Sequence, residues 1–263
     1  MKIGIIGGTG VYDLEILEDV KELKVKTQFG YPSDKIIVGR IGENEVAFLA
    51  RHGKGHRINP SNINYRANIA AMKKIGVKCI IAPTAVGSLK EWIKPGDIVF
   101  PDQIIDRTYL RKTTFYDGKL KRNGKNVCHI SFAYPFCEKL RKILIETAKE
   151  CKIKYHDKGT CVVIEGPRFS TKAESNYYRK FADIINMTMY PECVLAREAE
   201  ICYANISMVT DYDCWKDHIV DTEMVIKTMK ENVEKVKNII MKSISKINYE
   251  DCSCWHSLEN AFV

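Results

Sequence analysis

The chain has 263 residues, 45% hydrophobic and 28% charged, enough to bury the core of one large α/β domain. It contains no run of about 18 apolar residues, which excludes a membrane-spanning helix, and Met1-Lys2-Ile3-Gly4 passes straight into strand-like sequence without a signal peptide, so the cytoplasm is the expected compartment. The net charge of +8 comes from 41 basic residues spread over predicted helices, with the densest run (119–125) in a solvated hairpin loop, and a small anionic substrate accounts for it better than nucleic acid.

Residues 1–6 predict a short buried strand closed by Gly7-Gly8-Thr9-Gly10, a glycine loop suited to holding phosphate on backbone N–H groups. It is not the dinucleotide fingerprint, because Asp13 stands at the third glycine position, and it lacks the P-loop lysine. Residues 35–40 and 45–50 predict a hairpin about Gly42-Glu43-Asn44 that delivers Arg51-His52-Gly53-Lys54-Gly55-His56. Arginine at a strand end offers a planar fork that matches phosphate oxygens. A helix over 62–75 stops at Gly76, and a strand over 78–82 leads into Pro83-Thr84-Ala85-Val86-Gly87-Ser88. Small hydroxyl residues beside glycine at that exit suit an oxyanion or ribose contact. A strand over 97–102, a loop opening at Phe115-Tyr116-Asp117-Gly118 and an amphipathic helix over 138–151 follow. The strand over 159–165 ends in Glu165-Gly166-Pro167-Arg168-Phe169, where Phe169 is placed for stacking or for core packing. Next come a helix over 173–181, a short strand over 183–187 and a helix over 191–200 with proline at its start.

Residues 201–209 form a mostly apolar run that reads as a buried strand and stops at Thr210, with Asp211 and Asp213 beyond it. If strand geometry continues, both acids share a face. Two like charges that close cannot both ionise easily, so one titrates high. A neutral acid beside an ionised one matches a 6-aminopurine, which offers an acceptor at N7 next to an amine donor; an ordinary acidic turn is the plainer alternative. A long amphipathic helix spans 221–247. Strand and helix alternate throughout, which predicts a single α/β domain over 1–248, its central sheet mixed, mostly parallel and covered by helices on both faces. Residues 249–263 form a tail carrying Cys252-Ser253-Cys254. The other cysteines are scattered singly through apolar runs and read as core residues. A zinc site at the tail pair needs two more ligands; His256 offers one and no fourth is evident nearby, so no metal is expected.

These stretches together resemble one family. They are G-G-T-G at Gly7, R-H-G-x-x-H at Arg51, N-Y-R-A-N-I at Asn64, T-A-x-G-S-L at Thr84, P-G-D at Pro95 and F-Y-D-G at Phe115. E-G-P-R-F at Glu165, N-M-T at Asn186 and T-D-Y-D-C-W at Thr210 complete the set, in order, over about 240 residues. The chain is similar to the methylthioadenosine phosphorylases, in the trimeric branch of the purine nucleoside phosphorylases. The resemblance implies the nucleoside phosphorylase fold and reversible phosphorolysis of 5′-methylthioadenosine, with inorganic phosphate as co-substrate and neither metal nor organic cofactor. It implies phosphate contacts from Thr9, Arg51, His52, Thr84 and Ala85. It places Phe169 against the purine, Asn186, Met187 and Thr188 near the ribose, and Thr210, Asp211 and Asp213 on the adenine edge, with Asp211 and Asp213 catalytic. Val225 and Ile226 would line the methylthio pocket, with His129 supplied by a neighbouring subunit of a trimer or a pair of trimers. The tail's C-x-C resembles that of thermophilic archaeal members, in which the pair can form a disulfide. Departures are Val86, where cysteine is common, and a short loop between His218 and Met224. Three alternatives stand beside this: a relative preferring 6-oxopurines, a dinucleotide-dependent oxidoreductase suggested by the glycine loop alone, and a nucleoside-binding module without catalysis.

Overall fold

The computed structural model describes residues 1–8, 17–216, 222–248 and 250–263; of 222–225 and 227 it describes the helical backbone alone. Among these residues the chain forms eleven strands and five α-helices. In order these are β1 (Lys2–Gly7), β2 (Glu18–Leu23), β3 (Ile36–Ile41), β4 (Asn44–Ala50), α1 (Tyr65–Lys74), β5 (Val77–Ser88), β6 (Ile98–Val99) and β7 (Gln103–Arg107). Then come α2 (Glu138–Glu150), β8 (Tyr155–His156), β9 (Thr160–Ile164), α3 (Lys172–Tyr178), β10 (Ile184–Asn186), α4 (Met189–Glu198), β11 (Cys202–Asp211) and α5 (Thr222–Ile244).

The sheet is mixed, as expected. Its main path runs β2-β3-β4-β1-β5-β10-β9-β7, and β11 branches from β5 to reach β6 and β8. β1 is parallel to both β4 and β5, and β11 is parallel to β5 from Cys202 opposite Cys79 to Asp211 opposite Gly87. The carboxyl ends of β4, β1, β5 and β11 therefore open on one side, where α/β sheets bind ligands. β5 is longer than predicted. It passes through Pro83 to Ser88, because Ile206, Ser207 and Met208 of β11 keep it company over the stretch read as a loop. β2 and β8 carry no periodic signal of their own, and β6 shrinks to two residues.

Helices cover both faces. On one, Ile69 and Met72 of α1 and Cys193, Leu195 and Ala196 of α4 pack with Ile6, Ile80 and Tyr203. On the other, Leu140 and Leu144 of α2 and Val236, Ile239 and Ile240 of α5 pack with Ile3, Ile81 and Ile206. Each fully buried aliphatic contributes roughly 1.5–3 kcal/mol. The helix starts are set locally: the Asn64 side chain accepts from the Ala67 amide to cap α1, and Thr171 with Glu174 forms a capping box at α3. Gly76, at φ +86°, ends the first of these. The tail docks on the body: Trp255 donates to the Lys78 carbonyl, Ser257 to that of Arg197, and the His129 amide to that of Ala261.

One expectation is corrected here. Cys252 and Cys254 are not bonded to each other, and none of the ten cysteines is joined in a disulfide. Both tail sulfurs turn inward instead, and Cys252 Sγ lies 3.7 Å from Cys137 Sγ.

Candidate active site

The anion side is built where β1 and β4 end together. The Arg51 amide donates to the Gly7 carbonyl at 2.8 Å, which sets Arg51 and His52 beside the glycine loop. Arg51 is 1% exposed. Its fork does not face open space, as the sequence implied. Nε and Nη2 pair bidentately with Glu192 of α4 at 2.7 and 2.9 Å, Nη2 also donates to Ile6 O at 2.8 Å, and Nη1 donates to Pro83 O at 3.1 Å. One Nη1 hydrogen remains, on the side of Gly8, whose Cβ, if present, would lie 3.3 Å from that nitrogen. Burial works against the guanidinium charge, yet Glu192 outweighs it and holds the Arg51 pKa above its ordinary value. Removing Arg51 alone would strand a buried carboxylate, a loss of about 3–5 kcal/mol, so Arg51 organises the floor as well as offering one donor.

His52 Nδ1 lies 2.9 Å from the Ile58 carbonyl, which fixes the tautomer: Nδ1 donates and Nε2 is left to accept. Burial, then the Arg51 charge, push its pKa down to about 4, so the ring is neutral at physiological pH. Its face stacks on His56 at 4.1 Å. Thr84 sits on β5 opposite Ser207, and its hydroxyl donates to Asn205 Oδ1 at 3.2 Å; the same oxygen accepts from Ser207 at 2.7 Å. Asn205 Nδ2 is buried without a hydrogen-bond partner among the described residues. The Ala85 carbonyl accepts from Asn186 Nδ2 at 2.9 Å, which joins β5 to β10.

The acid pair closes the other end. β11 runs to Asp211, with a register shift against β5 between Val209 and Asp211. The strand does not continue: Asp213 lies in a turn at φ +49°. The acids approach through this turn rather than through strand alternation, and the Asp213 amide donates to Asp211 Oδ1 at 2.7 Å. Thr210 Oγ1 lies 2.7 Å from Asp211 Oδ2 and 3.2 Å from Val86 O, and its one proton serves one of them at a time. Both carboxyls titrate above the usual range. For Asp211 burial is the main cause, opposed by Thr210 and the Asp213 amide, and the Asp213 charge adds the smaller push. Burial also dominates at Asp213, offset by Ser175, the Cys214 amide and Ser170. Those two hydroxyls ease the charge without reaching hydrogen-bond geometry. Asp213 Oδ2, Ser170 Oγ and Ser175 Oγ are all buried and unpartnered among the described residues. Burial is thus the larger cause at Asp211 and like-charge repulsion the smaller, which shifts the sequence-level emphasis.

Two glycines let the elements meet. A Cβ on Gly87 would lie 3.0 Å from both Asp211 Oδ1 and Ile185 Cγ2, and one on Gly166, at φ +65°, 2.6 Å from Met187 Sδ. Asn186 Oδ1 accepts the Thr188 and Met189 amides at 2.7 Å each, which seats the start of α4. Phe169 is 42% exposed beside this group, in the segment that also carries Ser170, so it is not a core residue.

The fold therefore gathers Arg51, His52, Thr84, Ala85, Asn186, Met187, Thr188, Thr210, Asp211 and Asp213 at one set of strand ends. Thr9 lies outside the described residues, as does the Val225 side chain. Ile226 is exposed on α5, and His129 is exposed beside the tail. Sequence reading missed Glu192, Asn205, Ser170, Ser175 and Gly87. Glu192 had a signal, an acid in the first turn of a helix followed by the apolar run Cys193 to Ala196.

Comparison with known proteins matches residues 2–245 to a family described as the phosphorylase superfamily. The S-methyl-5′-thioadenosine phosphorylase of Hyperthermus butylicus is 54% identical, with 99% of this chain and 95% of that protein covered. A methylthioadenosine phosphorylase from Schistosoma mansoni, solved with adenine, superposes with a TM-score of 0.94 at 38% identity, covering 100% of this chain and 99% of that one. A single-site mutant of the adenosine/methylthioadenosine phosphorylase from the same organism, solved with methylthioadenosine, gives 0.92 at 39% identity, with 100% and 99% covered.

Proposed function

Because the chain belongs to the phosphorylase superfamily and, within it, to the S-methyl-5′-thioadenosine phosphorylases, we propose that it catalyses the reversible phosphorolysis of 5′-methylthioadenosine to adenine and 5-methylthioribose 1-phosphate. The observation that carries the substrate class is the acid pair: Asp211 raised by burial, beside an Asp213 oxygen that has no hydrogen-bond partner among the described residues. Protonated, Asp211 donates to purine N7, and Asp213 Oδ2 accepts from the 6-amino group. Adenine leaves poorly as an anion, so the N7 proton is the general-acid contribution, of order 10² to 10⁴ in rate.

Phosphate binds at the opposite end, on the glycine loop with Thr9, the free Arg51 N–H, His52 Nε2, Thr84 and Ala85. Neutral His52 accepts a phosphate O–H there. The phosphate attacks the sugar carbon and its charge stabilises the oxocarbenium-like ribosyl as the glycosidic bond breaks. Phe169 covers the purine; Asn186, Met187 and Thr188 border the ribose; Val225 and Ile226 line the methylthio pocket. The reaction calls for phosphate as co-substrate and for no organic cofactor or catalytic metal. The working form is a homo-oligomer, a trimer or a pair of trimers, in the cytoplasm, with His129 of each chain reaching a neighbour's site. Among the described residues no helix is long and apolar enough to cross a membrane.

The test is to supply methylthioadenosine, adenosine and inosine with and without phosphate. Phosphate-dependent release of adenine and the sugar 1-phosphate is expected. Free sugar at equal rate without phosphate, or a preference for inosine, overturns the reading.

A further inference from the structure

Four cysteines from three segments distant in sequence meet on the face of the sheet away from Arg51 and Glu192. Cys137 is the N-cap of α2, Cys202 opens β11, and Cys252 and Cys254 come from the tail. Their sulfurs all lie within 4.8 Å of one another and each residue is 3% exposed or less. Cys137 and Cys202 are the two ligands that the C-x-C pair lacks within its own segment.

We propose that Cys137, Cys202, Cys252 and Cys254 form a tetrahedral thiolate site for Zn²⁺ that pins the tail to the body. Tetrahedral Zn–S bonds of about 2.3 Å put neighbouring sulfurs about 3.8 Å apart. The Cys137 and Cys252 sulfurs are 3.7 Å apart. On binding, each thiol gives its proton to solvent, so one Zn²⁺ displaces up to four protons and leaves a cluster of net charge −2. The surroundings favour that charge. Arg197 Nη1 donates to Cys254 Sγ at 3.6 Å, and Arg197 Nε is buried with no hydrogen-bond partner among the described residues. Cys137 stands at the positive end of a 13-residue helix, which also favours thiolate. The set is closed, with four protein ligands and no open position, as in structural rather than catalytic zinc sites. Its mechanical effect follows from the tail's contacts: the segment it anchors accepts the His129 amide through Ala261 O and meets Cys128 through Phe262.

This site does not depend on the phosphorylase reading, and its test does not use activity. The full-length protein is purified anaerobically with a phosphine reductant, stripped with a chelator and titrated with Zn²⁺ or Co²⁺. One metal per chain, proton release, and the visible bands of a tetrahedral cobalt thiolate are expected, together with a higher melting temperature. Cys254→Ser and Cys252→Ser, each on the surface-facing tail segment, should weaken Zn²⁺ at least 100-fold. Arg197→Lys should weaken it by roughly 10- to 100-fold, as loss of an outer partner does. Cys151→Ser, outside the cluster, should leave binding unchanged. Failure of the reduced, folded protein to take up zinc overturns the proposal. So does finding these cysteines paired as disulfides without metal in the anaerobically isolated protein, or equal binding by the Cys254→Ser and Cys151→Ser variants.

Discussion

In the proposed function, Asp211 is the buried carboxyl that selects the purine. A 6-aminopurine offers an acceptor and a donor on that edge, and a neutral acid beside a carboxylate complements both. A 6-oxopurine offers two acceptors and would face Asp213 with a buried repulsion. Asp211→Asn supplies an amide in place of a proton donor. We expect kcat/KM for methylthioadenosine to fall about 10²-fold or more, while the ratio of 6-oxo to 6-amino activity rises; steady-state kinetics on both substrates checks this, and unchanged preference refutes it. His52 carries a separate prediction about acid. Its folded pKa, about 4, lies below the unfolded value of 6.5, so the unfolded chain binds the extra proton between them. The stability that His52 contributes is therefore full above about pH 6.5 and drains away as pH falls towards 4. His56, also lowered by burial, acts in the same direction. Urea midpoints at pH 7.5 and 5 should differ less in His52→Gln than in the wild type, and an equal difference sinks the assignment.

At the scale of elements, the site depends on how closely three strands approach. β5, β10 and β11 converge at Gly87, where Ile185 and Asp211 leave no room for a side chain. Gly87 has no positive φ, so the constraint is space alone. In Gly87→Ala the new methyl must displace Asp211 or Ile185 by a few tenths of an ångström. Overpacking of this kind costs about 1–3 kcal/mol. Because misplacing a catalytic group is expensive, kcat/KM should fall about tenfold, with the Asp211 pKa read from the pH-rate profile moving as well. Wild-type kinetics in this variant would show that the strand ends have slack.

At the scale of the molecule, the proposed oligomer is tested by mass and by kinetics. Tyr109, Leu110 and Tyr134 are 78%, 71% and 78% exposed on the single chain and are available to a contact between copies. Light scattering should give three or six times the 30.1 kDa chain mass. His129→Ala should raise the KM for methylthioadenosine and leave the phosphate KM nearly unchanged. A fully active monomer removes the cross-subunit role.

Local chemistry is what the sequence by itself determined: the helix stop at Gly76, the helices with apolar stripes, and the strand-end motifs that mark Arg51, Thr84 and Asp211. Periodicity and capping act within a few residues, so they are legible in one dimension. The family motifs, spread over nearly the whole chain, carried the fold and reaction class in the same way. Only the tertiary structure decided which groups are already engaged. The Arg51 fork is taken by Glu192, 141 residues away. Asp213 reaches Asp211 through a left-handed turn, and the main push on Asp211 is burial by neighbouring elements. Cys252 and Cys254 meet Cys137 and Cys202 in one cluster. Each depends on contacts between segments distant in the chain, and a hydrogen-bond donor or a sulfur has no partner until the fold supplies one.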